Sequence, residues 1–210
     1  MAILKAPLMS LGASGALGKA LVFFGWKGLD VVREYVVPSN PKTAAQVTQR
    51  GYLTEVVTAI HTAQALATNP LDEDDTSAYA LLGSKAATPM TWFNMVVKQW
   101  IDVLIAAKVP CIYSNGTISS KTAGSFSCLM TLNEKTGSTL AAATFYFGTS
   151  KSALIHSSAA TVVAGVSVGL TAENLAAFLT AGTKYYMQCK ADAADGCEGA
   201  NSGIYTFVAE

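Results

Sequence analysis

The chain has 210 residues, of which 51% are hydrophobic and only 13% charged, against about 25% charged in ordinary soluble domains. Fourteen basic and fourteen acidic side chains give a formal net charge of zero, and no basic run occurs, so nucleic-acid binding, which needs a concentrated cationic face, is not expected. No stretch of about 18 apolar residues runs uninterrupted, so no membrane span is expected either; a surface this poor in charge points to a protein covered by neighbours, other proteins and copies of itself.

Residues 1–20 are rich in Gly, Ala and Ser and read as an extended arm or turn-rich lead-in. Pro7, Ser10, Gly12, Ser14, Gly15 and Gly18 interrupt any signal-peptide apolar region, which implies synthesis in a cytoplasm without a membrane address. Within this arm, residues 12–20 have the outline of a phosphate-binding loop. The spacing of Gly12 from Gly18-Lys19 is wrong and Ala20 replaces the Ser or Thr that would hold magnesium, so no cofactor is expected. A hairpin follows, with strands over 21–24 and 31–37 and a turn through Gly25-Trp26-Lys27-Gly28, stopped by Pro38 and Pro41.

Asn40 or Thr43 can cap a first helix over 44–67, where Val47, Leu53, Val56, Val57, Ile60 and Leu66 fall at helical spacing. Asn69-Pro70 ends it. The acidic run Asp72-Glu73-Asp74-Asp75 suits a turn leading into a short helix over 76–82, because carboxylates favour the first turn. A third helix over 89–107 is apolar on nearly all faces and should be central in its domain or in an interface. From Pro110 the pattern changes to short alternating runs with turn signals every 8 to 12 residues, the mark of a β-sandwich. Strands are expected near 111–118, 122–133, 141–148, 151–157, 161–169, 183–191 and 203–209, with a helical or turn-like crossover over 170–179. The fold class expected is therefore α+β, with an assembly domain of arm, hairpin and helices over 1–110 and an all-β domain over 111–210.

Residues capable of chemistry are sparse. His61 and His156 have no nucleophile in a recognisable signature, so no catalytic residues are expected. Cys111, Cys128, Cys189 and Cys197 lie far apart without a C-x-x-C pair, which argues for small core residues rather than a zinc or iron–sulfur site. The run at 72–75 lacks the ligand order of a calcium loop, and Asp192, Asp195 and Glu198 around Gly196 make only a weak alternative, so no metal is expected. Asn115-Gly116-Thr117 matches a glycosylation acceptor, but Asn-Gly is a strong hairpin signal and the turn is the expected reading.

Two resemblances add to this. The stretch Leu179-Thr180-Ala181-Gly182-Thr183-Lys184-Tyr185-Tyr186-Met187-Gln188-Cys189-Lys190-Ala191 is similar to the penultimate-strand signature of fibronectin type III modules, which makes Tyr185 the corner tyrosine and turns Met187 and Cys189 inward. The alternation Phe126, Cys128, Met130, Leu132 puts Cys128 on the inward face of an early strand. Cys128 and Cys189 then approach across the sandwich, as a disulfide or as two buried thiols. In the N-terminal half, Gly15-Ala16-Leu17-Gly18, Val22-Phe23-Phe24-Gly25-Trp26-Lys27-Gly28, Val31-Val32-Arg33-Glu34-Tyr35 and Pro38-Ser39-Asn40-Pro41-Lys42-Thr43-Ala44-Ala45-Gln46-Val47-Thr48-Gln49-Arg50 resemble a family of small virion-associated proteins of tailed bacteriophages and prophages. The likeness covers roughly the first 60 residues, and Ala44 departs from the Pro expected after Thr43.

What the second resemblance implies is a non-enzymatic particle component, residing in the virion after synthesis in the host cytoplasm. The expected form is a capsid decoration or cement protein anchored by its N-terminal part and displaying an immunoglobulin-like sandwich. A tail, neck or baseplate adaptor subunit is the alternative. A carbohydrate-binding or adhesive module, with the sandwich touching a host-surface glycan, is a third expectation. The interaction residues expected are Phe23, Phe24, Trp26, Arg33, Tyr35, Asn40, Pro41, Gln46 and Arg50, because rigid aromatics and arginines are the anchors interfaces use.

Overall fold

In the computed structural model the described residues are 2–3, 14–122, 125–135, 140–163, 166–170, 179–192 and 197–210. The chain divides into two compact units, Met1–Ala44 and Ala45–Glu210. The helices therefore share a unit with the strands that follow them, where the sequence pattern set a division near Pro110.

The described residues of the first unit include an antiparallel sheet of β1 (Ala2–Ile3), β2 (Gly15–Leu17), β3 (Leu21–Trp26) and β4 (Leu29–Glu34), in the order β1-β4-β3-β2. Trp26 pairs with Leu29 around Lys27 and Gly28, whose φ values of 49° and 79° give the two-residue turn whose twist matches paired strands. Part of the expected arm is thus a strand: Gly15 to Leu17 pairs with Phe23 to Leu21, and Gly18 and Lys19, both at positive φ, carry the chain round. The hairpin ends at Glu34 rather than Val37. After it the Tyr35 N–H donates to the Ala20 carbonyl at 2.8 Å, and Pro38 has no N–H with which to continue a ladder.

The second unit opens with helices α1 (Ala44–Gln64), α2 (Glu73–Gly83) and α3 (Trp92–Ile105). Val56, Ile60 and Ala63 form the buried stripe of α1. Helix α2 starts three residues before its expected first residue. Its acidic run is the cap itself: Asp72 accepts from the Asp75 N–H and the Asp75 side chain accepts from the Asp72 N–H, a reciprocal capping box. Thr91 caps α3.

Among the described residues the strands that follow are β5 (Cys111–Thr122), β6 (Ser125–Glu134), β7 (Ala143–Gly148), β8 (His156–Ala159), β9 (Thr161–Val163), β10 (Ser167–Leu170), β11 (Lys184–Ala191) and β12 (Tyr205–Val208). They pair into two antiparallel sheets, β5-β6-β10-β9 and β12-β11-β7-β8. The run expected as one strand over 161–169 is two strands, which pair Thr161 with Gly169. Of the expected crossover over 170–179, residues 171–178 lie outside the described residues. Phe126 from one sheet meets Phe147 and Phe207 from the other, with ring centroids 5.5 and 4.6 Å apart, so the two sheets enclose one apolar core. A second core gathers Val56, Ile60, Tyr79, Val96 and Trp100 of the helices around Ile112 and Ile204. The architecture is α+β, and the start of β5 is buried on both faces because helices cover one and the facing sheet the other.

Helix α2 joins the two cores. Its Tyr79 hydroxyl accepts from the Tyr113 N–H at 3.1 Å, and the Ala78 carbonyl accepts from the Ile204 N–H at 2.9 Å. A Cβ at Gly203 would lie 2.6 Å from the Ala78 backbone carbon, so only glycine lets the strand backbone lie against the helix.

Candidate interaction surface

In the first unit, register decides which side chains share a face. Phe23 lies opposite Val32 and Phe24 opposite Val31, so Phe23 and Val31 point to opposite faces of the sheet. Among the described residues they are the buried apolar side chains of this unit. A 44-residue unit is close to the size, about 40 residues, below which a chain usually depends on staples or partners. Leu17, Leu21, Trp26 and Leu29 accordingly stay exposed, Trp26 to 53%. The Arg33 guanidinium lies 5.4 Å from the centre of the Phe24 ring, a cation–π placement that holds both groups.

From Arg33, near the end of the ladder on β4, to Gly51 every residue is exposed. This run holds Val36 and Val37, exposed to 68% and 73%, then the Pro38-to-Pro41 corner and the first two turns of α1. The expected interaction residues fall on it or on the sheet, and Phe23 among them is buried. Phe24 is half-buried, while Trp26, Arg33, Tyr35, Asn40, Pro41, Gln46 and Arg50 are exposed. They do not all belong to one body, because Gln46 and Arg50 lie in the second unit. Sequence reasoning missed Val36 and Val37, which read as the end of a strand.

Two concavities among the described residues of the second unit are large enough to consider. One, of about 600 Å³, is bounded by Asp72, Asp74, Asp75, Lys121, Lys184 and Tyr205 among others. Its deepest carboxylate is already in use. Asp75 accepts from the backbone N–H groups of Asn115 at 2.8 Å and Gly116 at 3.3 Å and from the Tyr205 hydroxyl at 2.7 Å. Asn115-Gly116 is thus not a hairpin turn. It is a bulge inside β5, where the register slips between Ser114 and Thr117 and Asn115 takes a φ of 55°; the bulge turns two N–H groups toward the carboxylate. The other concavity, a groove of about 530 Å³ over the sheet containing β5, β6, β9 and β10, is lined by Thr117, Ser119, Ser127, Leu129, Thr161 and Val163 among others, with no charged side chain among the lining residues.

The three residues expected to be structural are all buried. Tyr185 stacks on Phe207 at 5.7 Å, and its hydroxyl accepts from the Thr180 N–H at 2.9 Å. Cys128 and Cys189 are reduced thiols in the core between the sheets. Burial pushes the Cys128 thiol up to about 12 and raises that of Cys189 as well, with the neighbouring Cys128 adding to the effect. Such thiols are poor nucleophiles. Among the described residues, no group of three or more His, Cys, Asp or Glu could hold a metal ion, and no helix is long and apolar enough to cross a membrane.

Comparison with known proteins finds no matching family model, no matching curated protein and no matching solved structure.

Proposed function

We propose that the chain is a non-enzymatic structural component of a phage particle, of the capsid decoration or cement kind, which binds its neighbours through the N-terminal part and carries an immunoglobulin-like sandwich of the fibronectin type III sort. The observation that carries this reading is the exposed run from Arg33 to Gly51, next in sequence to a sheet that leaves Leu17, Trp26 and Leu29 in water. Apolar surface on a chain with 13% charged residues calls for a partner to cover it. The resemblance of the first 60 residues to virion-associated proteins supplies the kind of partner.

The sandwich reading has its own support. Taken in chain order as strands A, B, C, C′, D, E, F and G, the sheets β5-β6-β10-β9 and β12-β11-β7-β8 become A-B-E-D and G-F-C-C′, the order of immunoglobulin-like folds. The Tyr185 hydroxyl, at the start of the F strand, bonds back to the Thr180 N–H five residues upstream, as a tyrosine corner does.

The test is the copy number and position of the chain in purified particles, by quantitative mass spectrometry and imaging of labelled protein. Copies on the order of hundreds spread over the head support decoration. A few dozen at one vertex or along a tail move the reading to an adaptor subunit, and absence from particles overturns both. A full-length variant with Trp26→Ser, Val36→Ser and Val37→Ser should keep the wild-type circular dichroism and lose incorporation.

A further inference from the structure

We propose that Cys111 and Cys197 form a disulfide pair that closes once the chain meets an oxidising environment, tying the start of β5 to the turn that precedes β12. The sequence drew attention to Cys128 and Cys189 instead, because those two follow the alternation of facing strands. The structure brings the other two thiols together. Two interactions stitch the beginning of β5 to residues 197–200: Lys108 pairs with Glu198, and the Tyr113 hydroxyl donates to the Ala200 carbonyl at 3.2 Å; between them Cys111 and Cys197 lie near enough for their side chains to interact. The backbone is fixed on both sides of the pair. Cys111 opens a strand in register with Glu134 of β6, and the Cys197 carbonyl accepts from the Ala200 N–H at 3.0 Å. Both thiols lie in the same apolar core, and the bond between them needs their Cα atoms within about 7 Å.

The chemistry balances with a small disulfide as oxidant. The Cys111 thiolate attacks oxidised glutathione and releases one glutathione thiolate. The Cys197 thiolate then attacks the Cys111 sulfur of the mixed disulfide and releases the second. The two protons lost by the protein pass to the two released thiolates, and the pair of electrons goes to glutathione. The adjacent Cys197 and burial raise the Cys111 thiol, so exchange in the folded chain is slow. The bond therefore sets during folding or when the 197–200 turn opens, and once inside the core it is shielded from reductant. Neither step depends on the function proposed above.

To test this, the full chain is unfolded and refolded in a glutathione redox buffer, which gives every thiol access to the oxidant, then quenched with an alkylating agent and mapped by mass spectrometry. The expected product is a cross-linked peptide pair joining Cys111 to Cys197. The thermal midpoint should rise over the reduced chain by roughly 5–15 °C, as a bond closing so long a loop should produce. The rise should vanish in Cys197→Ala and persist in Cys128→Ala. Four alkylated thiols, or a cross-link joining Cys128 to Cys189 alone, would overturn the proposal. Mapping of the native sequence gives that answer even if a variant fails to fold.

Discussion

Replacing Asp75 with Ala should be among the most damaging single changes in the second unit, and the size of the loss can be worked from its bonds. The carboxylate is fully buried and accepts from Asn115 N–H, Gly116 N–H and the Tyr205 hydroxyl, besides its longer bond from the Asp72 N–H at 3.4 Å. Each donor stranded in the interior costs about 1–3 kcal/mol, and loss of the helix cap adds about 1 kcal/mol. Removing a buried charge gives back part of its desolvation cost, and water entering from the adjacent cleft satisfies part of the rest, so a net loss of about 3–4 kcal/mol is expected. For a unit of this size that is a fall in thermal midpoint of roughly 6–15 °C. Urea titration followed by circular dichroism measures it. A cycle with Tyr205→Phe should be non-additive by about 1–2 kcal/mol, because the two side chains share one bond. A D75A chain within about 1 kcal/mol of the native one, or an additive cycle, would refute the view that this carboxylate clasps α2 to the bulge of β5.

Steric and electrostatic perturbations elsewhere carry equally definite expectations. Gly203→Ala sets a Cβ 2.6 Å from the backbone of Ala78 and should cost about 2–4 kcal/mol, whereas Gly169→Ala, whose nearest neighbour is the movable Leu129 Cδ1 at 3.3 Å, should cost less than about 1 kcal/mol; equal urea midpoints would contradict the packing described. Tyr185→Phe removes the acceptor for the Thr180 N–H and should lower stability by about 1 kcal/mol, a loss absent in Tyr186→Phe. Alkaline pH should destabilise the reduced chain. Burial raises Cys128 to about 12 and raises Cys111 and Cys189 too, so above about pH 8.5 the unfolded thiols ionise while the folded ones stay protonated. The unfolded state then binds fewer protons and stability falls as pH rises, by about 1.4 kcal/mol per pH unit for each such thiol. Urea midpoints in reductant should be flat to about pH 8 and drop toward pH 11, with a shallower drop in Cys128→Ala; a midpoint unchanged to pH 11 would refute the burial argument.

Local signals carried the element types. Apolar spacing marks α1, the acidic run marks the start of α2, and the alternation of Phe126, Cys128, Met130 and Leu132 matches the buried positions of β6. Long-range pairing was the part that local patterns could not hold. Gly15 to Leu17 has the composition of a turn and becomes a strand only because Leu21 to Phe23 pairs with it. Asn115-Gly116 has the composition of a hairpin and becomes a bulge because a carboxylate forty residues earlier takes its N–H groups. The division near Pro110 failed for a related reason. The change from helical to alternating pattern there is real, but β5 buries Ile112 in the helical core and Tyr113 in the core between the sheets, so one strand serves both layers.

The same internal commitments explain why composition understates how neutral the surface is. Acidic side chains of the second unit are drawn inward or into bonds: Glu55 accepts from the Trp100 indole and from Lys135, Glu134 from the Leu140 N–H, Asp192 from the Thr144 hydroxyl, and Asp72 and Asp75 cap α2. Each carboxylate spent on holding the fold is one fewer to keep the outside hydrated and mutually repelling. A chain that starts with few charges and uses many of them internally leaves hydroxyls and small apolar groups facing out, as in the groove over β5, β6, β9 and β10. Such a surface gains little from staying in water, and that asymmetry between a well-bonded interior and a weakly charged exterior is what supports the proposal of a protein packed among neighbours.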